Sequence, residues 1–311
     1  MSRSHKLITV WVLALTAAAP LAAQATFEIP KPGATDPSVF RPQPPPEAPK
    51  EEGEEKAAAL VYQGEPLKLP LECRAEAFLR AGLVCSEEAP CDMLLELVDI
   101  TQVQERVLLI GNIHTPSATI ATVLLRSDDG GKTWTEPFER VDAAGLEMVQ
   151  TLDGQHGWIG GQQTTQDHAS SPFLLVTTDG GLNWVRRPIW SGDEDRHGAV
   201  IEIYFDEPQH GFVIIDRLTS EGDSYELYES MNSGLSWSIR EISSEMPTIR
   251  RRMVANEQEK PWRLNEDRGA AAYEVERLVD GEWTKVSAFA GDLGPCRSVA
   301  AEKPFHVGRE P

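Results

Sequence analysis

The sequence predicts an all-β fold, a small β-propeller of four or five four-stranded blades. Three stretches, SDDGGKTW at 127–134, TTDGGLNW at 177–184 and SMNSGLSW at 230–237, share the pattern Ser/Thr-x-Asp/Asn-x-Gly-x-Ser/Thr/Asn-Trp. Their tryptophans follow one another after 50 and 53 residues, a period typical of propellers and repeat arrays. A second motif, His-Gly-aromatic, occurs at 156–158 and 210–212, in phase with the first. Two motifs in one register indicate that each unit is a blade.

Each unit contains three or four short runs of β-branched and apolar residues, separated by Gly, Pro, Asn and Asp. This composition indicates strands joined by tight turns. Four such strands form one propeller blade, and radial packing leaves only short strand edges exposed. The predicted units are 94–145, 146–198, 199–250 and 251–290, and the fourth carries a worn copy of the first motif, VDGEW, at 279–283.

Two stretches outside these units offer strands for a fifth, split blade. They are residues 73–91 upstream and 299–307 downstream. A closed ring is expected because exposed strand edges promote aggregation. The sequence leaves four and five blades open.

The N-terminus predicts export to the periplasm or the outside of the cell. Residues 1–25 combine a basic start, an apolar run and the small-residue end Ala-Gln-Ala, as a cleaved signal peptide does. A membrane anchor is the alternative, and the cleavage-like end favours a protein without stable membrane insertion. Residues 26–64, rich in proline and glutamate, predict an unfolded tether. The propeller is expected at 65–300, followed by a tail at 301–311.

Charge and cysteine content restrict the function classes. The formal net charge is −20, so phosphate backbones repel the chain and nucleic acid is a poor partner. Four cysteines in an exported protein favour two disulfides, for which three connectivities exist. We favour Cys85–Cys91 as a local loop and Cys73–Cys296 as a clasp between the domain ends. Because paired C-x2-C spacing is absent, neither a metal site nor any cofactor is predicted.

The repeated motifs are interpreted as architectural. The Asp or Asn side chain closes the turn by bonding backbone amides, Gly permits left-handed backbone, and Trp covers the turn with its indole N–H bonded. Three equivalent copies argue against a catalytic acid. The residues with these predicted roles are Ser127, Asp129, Gly131, Trp134, Thr177, Asp179, Gly181, Trp184, Ser230, Asn232, Gly234 and Trp237, and Gly157, Trp158, Gly211 and Phe212 of the second motif.

These motifs resemble the Asp-box, or BNR, repeat of sialidase-like propellers. The aspartate, His-Gly-aromatic step and TTDGG-x-x-W box are most similar to the repeats of photosystem II assembly and stability factor-like proteins. The resemblance covers residues 94–286. It implies a propeller, and in the photosynthetic members it implies binding of an assembling membrane-protein subunit without catalysis.

We therefore expect a non-enzymatic module that binds a protein or a glycan on one propeller face. A glycan-acting hydrolase or a lectin of sialidase-like type is the alternative. The hydrolase pattern would require an arginine triad, a Tyr–Glu pair and an acid. Tyr204 and Glu202 share a strand face, but such pairs are common in half-buried strands. Phe40-Arg41-Pro42 matches the family's first-blade motif only in part and falls in the proline-rich tether. No catalytic residue is therefore predicted.

Segments that differ between the units are the expected partner surfaces. They are 162–171, 191–197, 220–224 and 250–252. The last is the basic cluster Arg250, Arg251 and Arg252, which either contacts an anion or acidic partner or forms a solvated loop between blades.

Overall fold

The computed structural model describes residues 59–165, 169–190, 196–219, 224–249 and 261–297. They form an all-β propeller domain with one short helix, which confirms the predicted fold class. No helix within these ranges is long and apolar enough to cross a membrane. The predicted signal peptide, most of the tether, the tail and the 299–307 strand lie outside the described residues.

Strands follow the predicted units in order. The chain begins with β1 (Leu60–Val61) and α1 (Ala75–Arg80). Blade 1 contains β2 (Cys91–Val103), β3 (Arg106–His114) and β4 (Thr119–Ser127), and is followed by the short β5 (Thr133–Trp134). Blade 2 contains β6 (Ala144–Thr151), β7 (Gly157–Thr164), β8 (Ser170–Thr177) and β9 (Val185–Pro188). Blade 3 contains β10 (Ala199–Phe205), β11 (Gly211–Asp216), β12 (Tyr225–Ser230) and β13 (Ser238–Ser243).

The fourth unit differs from its prediction. Blade 4 has three described strands, β14 (Trp262–Asp267), β15 (Ala272–Val279) and β16 (Glu282–Ala290). The VDGEW stretch forms a two-residue hairpin turn at Asp280 and Gly281, both with positive φ, instead of the longer turn of the other units. Asp-Gly is the residue pair that such a turn favours.

The last described strand belongs to blade 1. Strand β17 (Asp292–Cys296) pairs with β2, which completes a four-stranded sheet in the order β17-β2-β3-β4. The upstream stretch 73–91 contributes α1 to the apolar core but no strand before β2. Residues 73–91 thus supply no separate strand for the split fifth blade that the sequence left open.

Two disulfides secure this joint, as predicted. Cys73 bonds to Cys296 at a sequence separation of 223, and Cys85 bonds to Cys91. Cys91 and Cys296 stand opposite each other in the β2–β17 pairing, so both disulfides lie at one point of the fold. In the chain-entropy account, the long loop closed by the first disulfide makes it the more stabilising of the two.

The tether ends earlier than predicted. Strand β1 falls inside the range 26–64 and pairs with β5, the strand that carries Trp134. Leu60 and Tyr62 pack against the same apolar cluster as that tryptophan. The short apolar run Ala-Leu-Val-Tyr is sufficient to attach this segment to the domain.

Apolar clusters fill the junctions between consecutive blades. Among the described residues, one cluster joins blades 4 and 1 with the N-terminal segment, one joins blades 1 and 2, and one joins blades 2 and 3. Fully buried side chains such as Phe173 and Phe205 are each worth about 1.5–3 kcal/mol of transfer free energy. These junctions hold the blades at fixed positions.

Side-chain amides connect neighbouring blades with the same geometry at two junctions. The Asn112 amide donates to the Leu146 carbonyl and accepts the Leu146 N–H, at 3.1 and 2.7 Å. Gln150 makes the corresponding pair of bonds with Phe205, at 2.9 and 2.7 Å. Each amide thus extends the first strand of the following blade as a backbone group would.

A β-bulge recurs at one position in the first strand of blades 1, 2 and 3. The strand opposite needs glycine in two of them, because a Cβ at Gly111 would lie 2.3 Å from the Glu96 carbonyl, and one at Gly161 would lie 2.6 Å from the Gly145 carbonyl. A bulge redirects the side chain of its extra residue. These extra residues are Val98, Glu147 and Ile201.

Candidate functional site

The three SDDGGKTW-type boxes form one recurring turn. In the first, Ser127 Oγ accepts the Gly131 N–H at 2.8 Å and donates to Asp129 Oδ1 at 2.9 Å. The same carboxylate oxygen accepts the backbone N–H groups of Lys132 and Thr133. Equivalent bonds occur around Thr177 and Asp179 in the second box, and around Ser230 and Asn232 in the third.

Their carboxylates are occupied by the turn itself. Partial burial alone would raise the pKa values of Asp129 and Asp179, but bonds from backbone amides and from the Thr133 or Asn183 side chain outweigh it and lower both pKa values. A carboxyl group held ionised in this way is poorly suited to donate a proton. The boxes are therefore structural turns that their own side chains stabilise.

The tryptophans of the boxes differ in their bonding. Trp134 Nε1 donates to the Gly131 carbonyl and to Ser287 of blade 4, at 3.0 and 3.2 Å. The prediction that all three indoles are bonded is wrong for Trp184 and Trp237, whose buried Nε1 atoms have no partner among the described residues. Of the three box tryptophans, only Trp134 donates to a polar side chain of the neighbouring blade among the described residues; Trp237, for example, lies edge-on to Phe205.

The His-Gly-aromatic turns pack blades 2 and 3 together. Trp158 is fully buried and stacks on Phe205, with ring centroids 3.9 Å apart. Gly211 must lack a side chain because a Cβ there would lie 2.3 Å from that same Phe205 ring. Phe212 is only partly buried and contacts His210 edge-on. These residues position the blades.

Sequence differences between the blades concentrate at the end opposite the boxes. The boxes follow the last residues of β4, β8 and β12, so the first residues of these strands mark the other end. At this end, backbone hydrogen bonds join residues 115 and 118, residues 165 and 169, and residues 217 and 224. We call this end the loop face. It includes the described parts of three segments predicted to differ, 162–171, 191–197 and 220–224.

A polar cavity of about 220 Å³ opens at the loop face between blades 1 and 2. The bulged residue Glu147 projects into it from β6, and Glu96 lines it from β2. The other lining residues are neutral, and most are polar: Val98, Asn112, Thr119, Ala143, Gly145, Gln162, Thr164 and Ser170.

The two glutamates of the cavity differ in their electrostatics. Glu96 is exposed, whereas Glu147 is partly buried and accepts a bond from Gln162 Nε2 at 3.2 Å. Burial raises the pKa of Glu147, and repulsion by Glu96 raises it further. The side-chain oxygen of Gln162, Oε1, is completely buried and has no hydrogen-bond partner among the described residues. The cavity therefore has a surplus of acceptors.

The corresponding end of the junction between blades 2 and 3 is filled. Glu226 is 4% exposed and bonds both to Arg217 Nη1, at 2.8 Å, and to the Tyr228 hydroxyl. Trp190 Nε1 donates to the same hydroxyl at 3.0 Å, and the Arg196 and Arg217 guanidinium groups lie near its ring. Burial and the bond to Glu226 raise the pKa of Tyr228 to about 12, so this hydroxyl stays neutral.

Sequence reasoning missed both features. The structure bonds the Tyr228 hydroxyl to Glu226, a pair that the sequence did not single out. Their i, i+2 spacing on a strand was the available signal. The position of Glu147 in the cavity could not be predicted from the sequence, because the direction of its side chain depends on the bulge in β6. Among the described residues, Arg196 and Arg217 lie at one junction, and the Glu96 and Glu147 carboxylates lie at the other.

Two points concern metal binding and the basic cluster. Among the described residues, no group of three or more His, Cys, Asp and Glu side chains could hold a metal ion. The basic cluster Arg250, Arg251 and Arg252 lies outside the described residues.

Comparison with known proteins returns propellers of two functional kinds. No protein-family model matches the chain, and no curated protein matches it by sequence. The solved structure of YCF48 bound to a D1 peptide matches with a TM-score of 0.34 and 17% identity, over 63% of this chain and 54% of that one. An α-L-arabinanase of Penicillium chrysogenum in complex with arabinobiose matches with a TM-score of 0.32 and 15% identity, over 65% and 62%.

The α-L-arabinofuranosidase Arb93A of Fusarium graminearum, in complex with an iminosugar inhibitor, matches with a TM-score of 0.35 and 15% identity, over 72% of this chain and 61% of that one. The chain thus spans less than two thirds of the length of each of these proteins. The fold assignment rests on the strand pairing and repeated turns described above.

Proposed function

We propose that the protein is an exported, non-enzymatic binding module that holds a partner protein on its loop face. This proposal rests on a difference between the two ends of the blades: one end is the same in three blades, and the other differs from junction to junction. The box end repeats the same bonds in three blades, whereas the loop face has a cavity at one junction and a filled cluster at the next. Binding residues typically lie on loops held by a rigid scaffold.

The hydrogen bonding of the box carboxylates and of Glu226 supports binding over catalysis. The box carboxylates accept hydrogen bonds from backbone N–H groups of their own turns. Glu226 forms an ion pair with Arg217 and accepts a hydrogen bond from the Tyr228 hydroxyl, which stays protonated. Two disulfides are in keeping with the oxidising compartment that an exported protein enters.

Site-specific photo-crosslinking in cells that make the protein tests the proposal. A photoreactive residue replaces Ser117, which is exposed on the loop face, or Lys132, which is exposed in the first box. We expect one defined protein adduct from position 117 and none from position 132. Adducts from position 132 alone, or from neither position, would contradict a loop-face binding module.

One observation favours a second function, a glycan-acting hydrolase. Glu147, with its raised pKa, and the exposed Glu96 line one cavity, and glycoside hydrolysis uses an acid and a carboxylate across a cleft. Release of reducing ends from a panel of polysaccharides tests this. Turnover that Glu147→Gln lowers at least 100-fold, and that Glu282→Gln on exposed β16 leaves unchanged, would establish an enzyme. No turnover by the wild-type protein would reject it.

A further inference from the structure

The cavity between blades 1 and 2 has a composition that selects the charge of its occupant. Its lining contains two carboxylates, Glu96 from β2 and Glu147 from β6, and no lysine, arginine or histidine among the described residues. These are also the only titratable groups in that lining. An occupant that carries positive charge would offset the repulsion between the two.

Hydrogen-bonding capacity points to the same occupant. Gln162 donates to Glu147, which leaves its own side-chain oxygen buried without a donor. Asn112, the other amide of the lining, is committed to the Leu146 backbone in both directions. The unused groups are thus chiefly acceptors. An ammonium group brings three donors and no acceptor, and a guanidinium group brings five.

The volume limits the size of the occupant. The cavity has a volume of about 220 Å³. Pockets for drug-sized ligands begin at about 300 Å³, so this cavity suits the end of one side chain better than an oligosaccharide.

We propose that the cavity lined by Glu96, Glu147 and Gln162 receives the cationic end of a lysine or arginine side chain from the partner protein. This inference rests on the proposed binding function, to which it adds the chemistry of the contact. The partner would thus present a basic side chain to blades 1 and 2.

The test uses small cationic probes and the intact exported chain. n-Butylammonium and n-butylguanidinium are titrated into the labelled protein, and backbone amide NMR shifts are followed, with n-butanol as the uncharged probe. We expect saturable shifts around Gly145, Glu147 and Gln162 for the cations only. The apparent affinity should fall at least 10-fold in the double variant Glu96→Gln/Glu147→Gln.

Matched controls separate the site from general charge effects. Glu282→Gln and Asp280→Asn together remove two charges from the exposed β15–β16 hairpin of blade 4 and should leave the affinity unchanged. Equal shifts with n-butanol, equal affinity in the cavity double variant, or shifts only with Ca²⁺ would overturn the proposal. Weaker cation binding at a pH low enough to protonate Glu147 would support it.

The two proposals fail in different ways. A crosslink from position 117 that persists in Glu96→Gln/Glu147→Gln, with no cation binding, retains the loop-face partner and rejects the cationic contact. Cation binding without any crosslink retains the acid cavity as a cation site and rejects the protein partner.

Discussion

The junctions between blades 1 and 2 and between blades 2 and 3 share one construction but end differently at the loop face. Each has a bulged first strand in the following blade, an apolar cluster and an amide that bonds the next backbone. At the first, Glu96 and Glu147 leave a cavity; at the second, Trp190 and Tyr228 fill the space. The repeated scaffold thus fixes the blades, and a few residues at their ends determine whether a junction is open or closed.

Removing the counter-ion of the closed junction should have the largest effect. Arg217→Met leaves the buried Glu226 without its 2.8 Å partner, and breaking such a pair from one side costs about 3–5 kcal/mol. Urea unfolding at pH 7 measures the loss. Arg196→Met is the matched control, since Arg196 lies 3.8 Å from Glu226, and it should cost clearly less. Equal losses would show that Arg217 has no special role.

Intermediate losses are expected from the amide contacts that the two junctions share. Asn112→Ala and Gln150→Ala each remove two bonds to the next blade, and an unsatisfied buried backbone group costs about 1–3 kcal/mol. Because each variant loses the same pair of bonds to the next blade, similar losses are expected, again from urea unfolding. Gln155→Ala, at an exposed position of the box end, should leave stability unchanged. Losses that differ several-fold would mean that the two junctions are not equivalent.

The open junction should respond least, and in the opposite direction. Glu147→Gln removes a charge that burial and Glu96 disfavour, so a small gain in stability at pH 7 is expected. The pKa of Glu147 is raised from its ordinary value of 4.5, so the folded state binds the proton more tightly than the unfolded state. The stability contribution of the protonated form is complete below pH 4.5 and is lost as the pH rises through the folded-state pKa.

Unfolding measured between pH 4 and 8 tests this sign. The variant should show a flatter dependence than the wild type across that interval, while Glu282→Gln should follow the wild type. A variant less stable than the wild type at pH 7 would mean that the Glu147 charge is already compensated.

Much of the scaffold was predictable because it depends on local chemistry. The boxes could be read from sequence since Ser127, Asp129 and Gly131 bond within eight residues, and copies at a fixed period reveal the blades. Both disulfides match the favoured one of three possible pairings, in which Cys85–Cys91 closes a short local loop and Cys73–Cys296 joins the two ends of the domain. The turn at the end of the fourth blade was not predicted correctly, since an Asp-Gly turn resembles a worn box in sequence.

The sequence by itself determined the repeat and the order of the blade strands, since each follows from residues close in the chain or from their spacing, and it favoured the cysteine pairing that the structure shows. Only the tertiary structure decided where β17 pairs, which indoles are bonded and which carboxylates remain available. A bulge reverses the alternation of a strand, so the direction of Glu147 cannot be read from the order of residues. The charge state and space at each junction arise from side chains about 50 residues apart that meet only after the blades have packed.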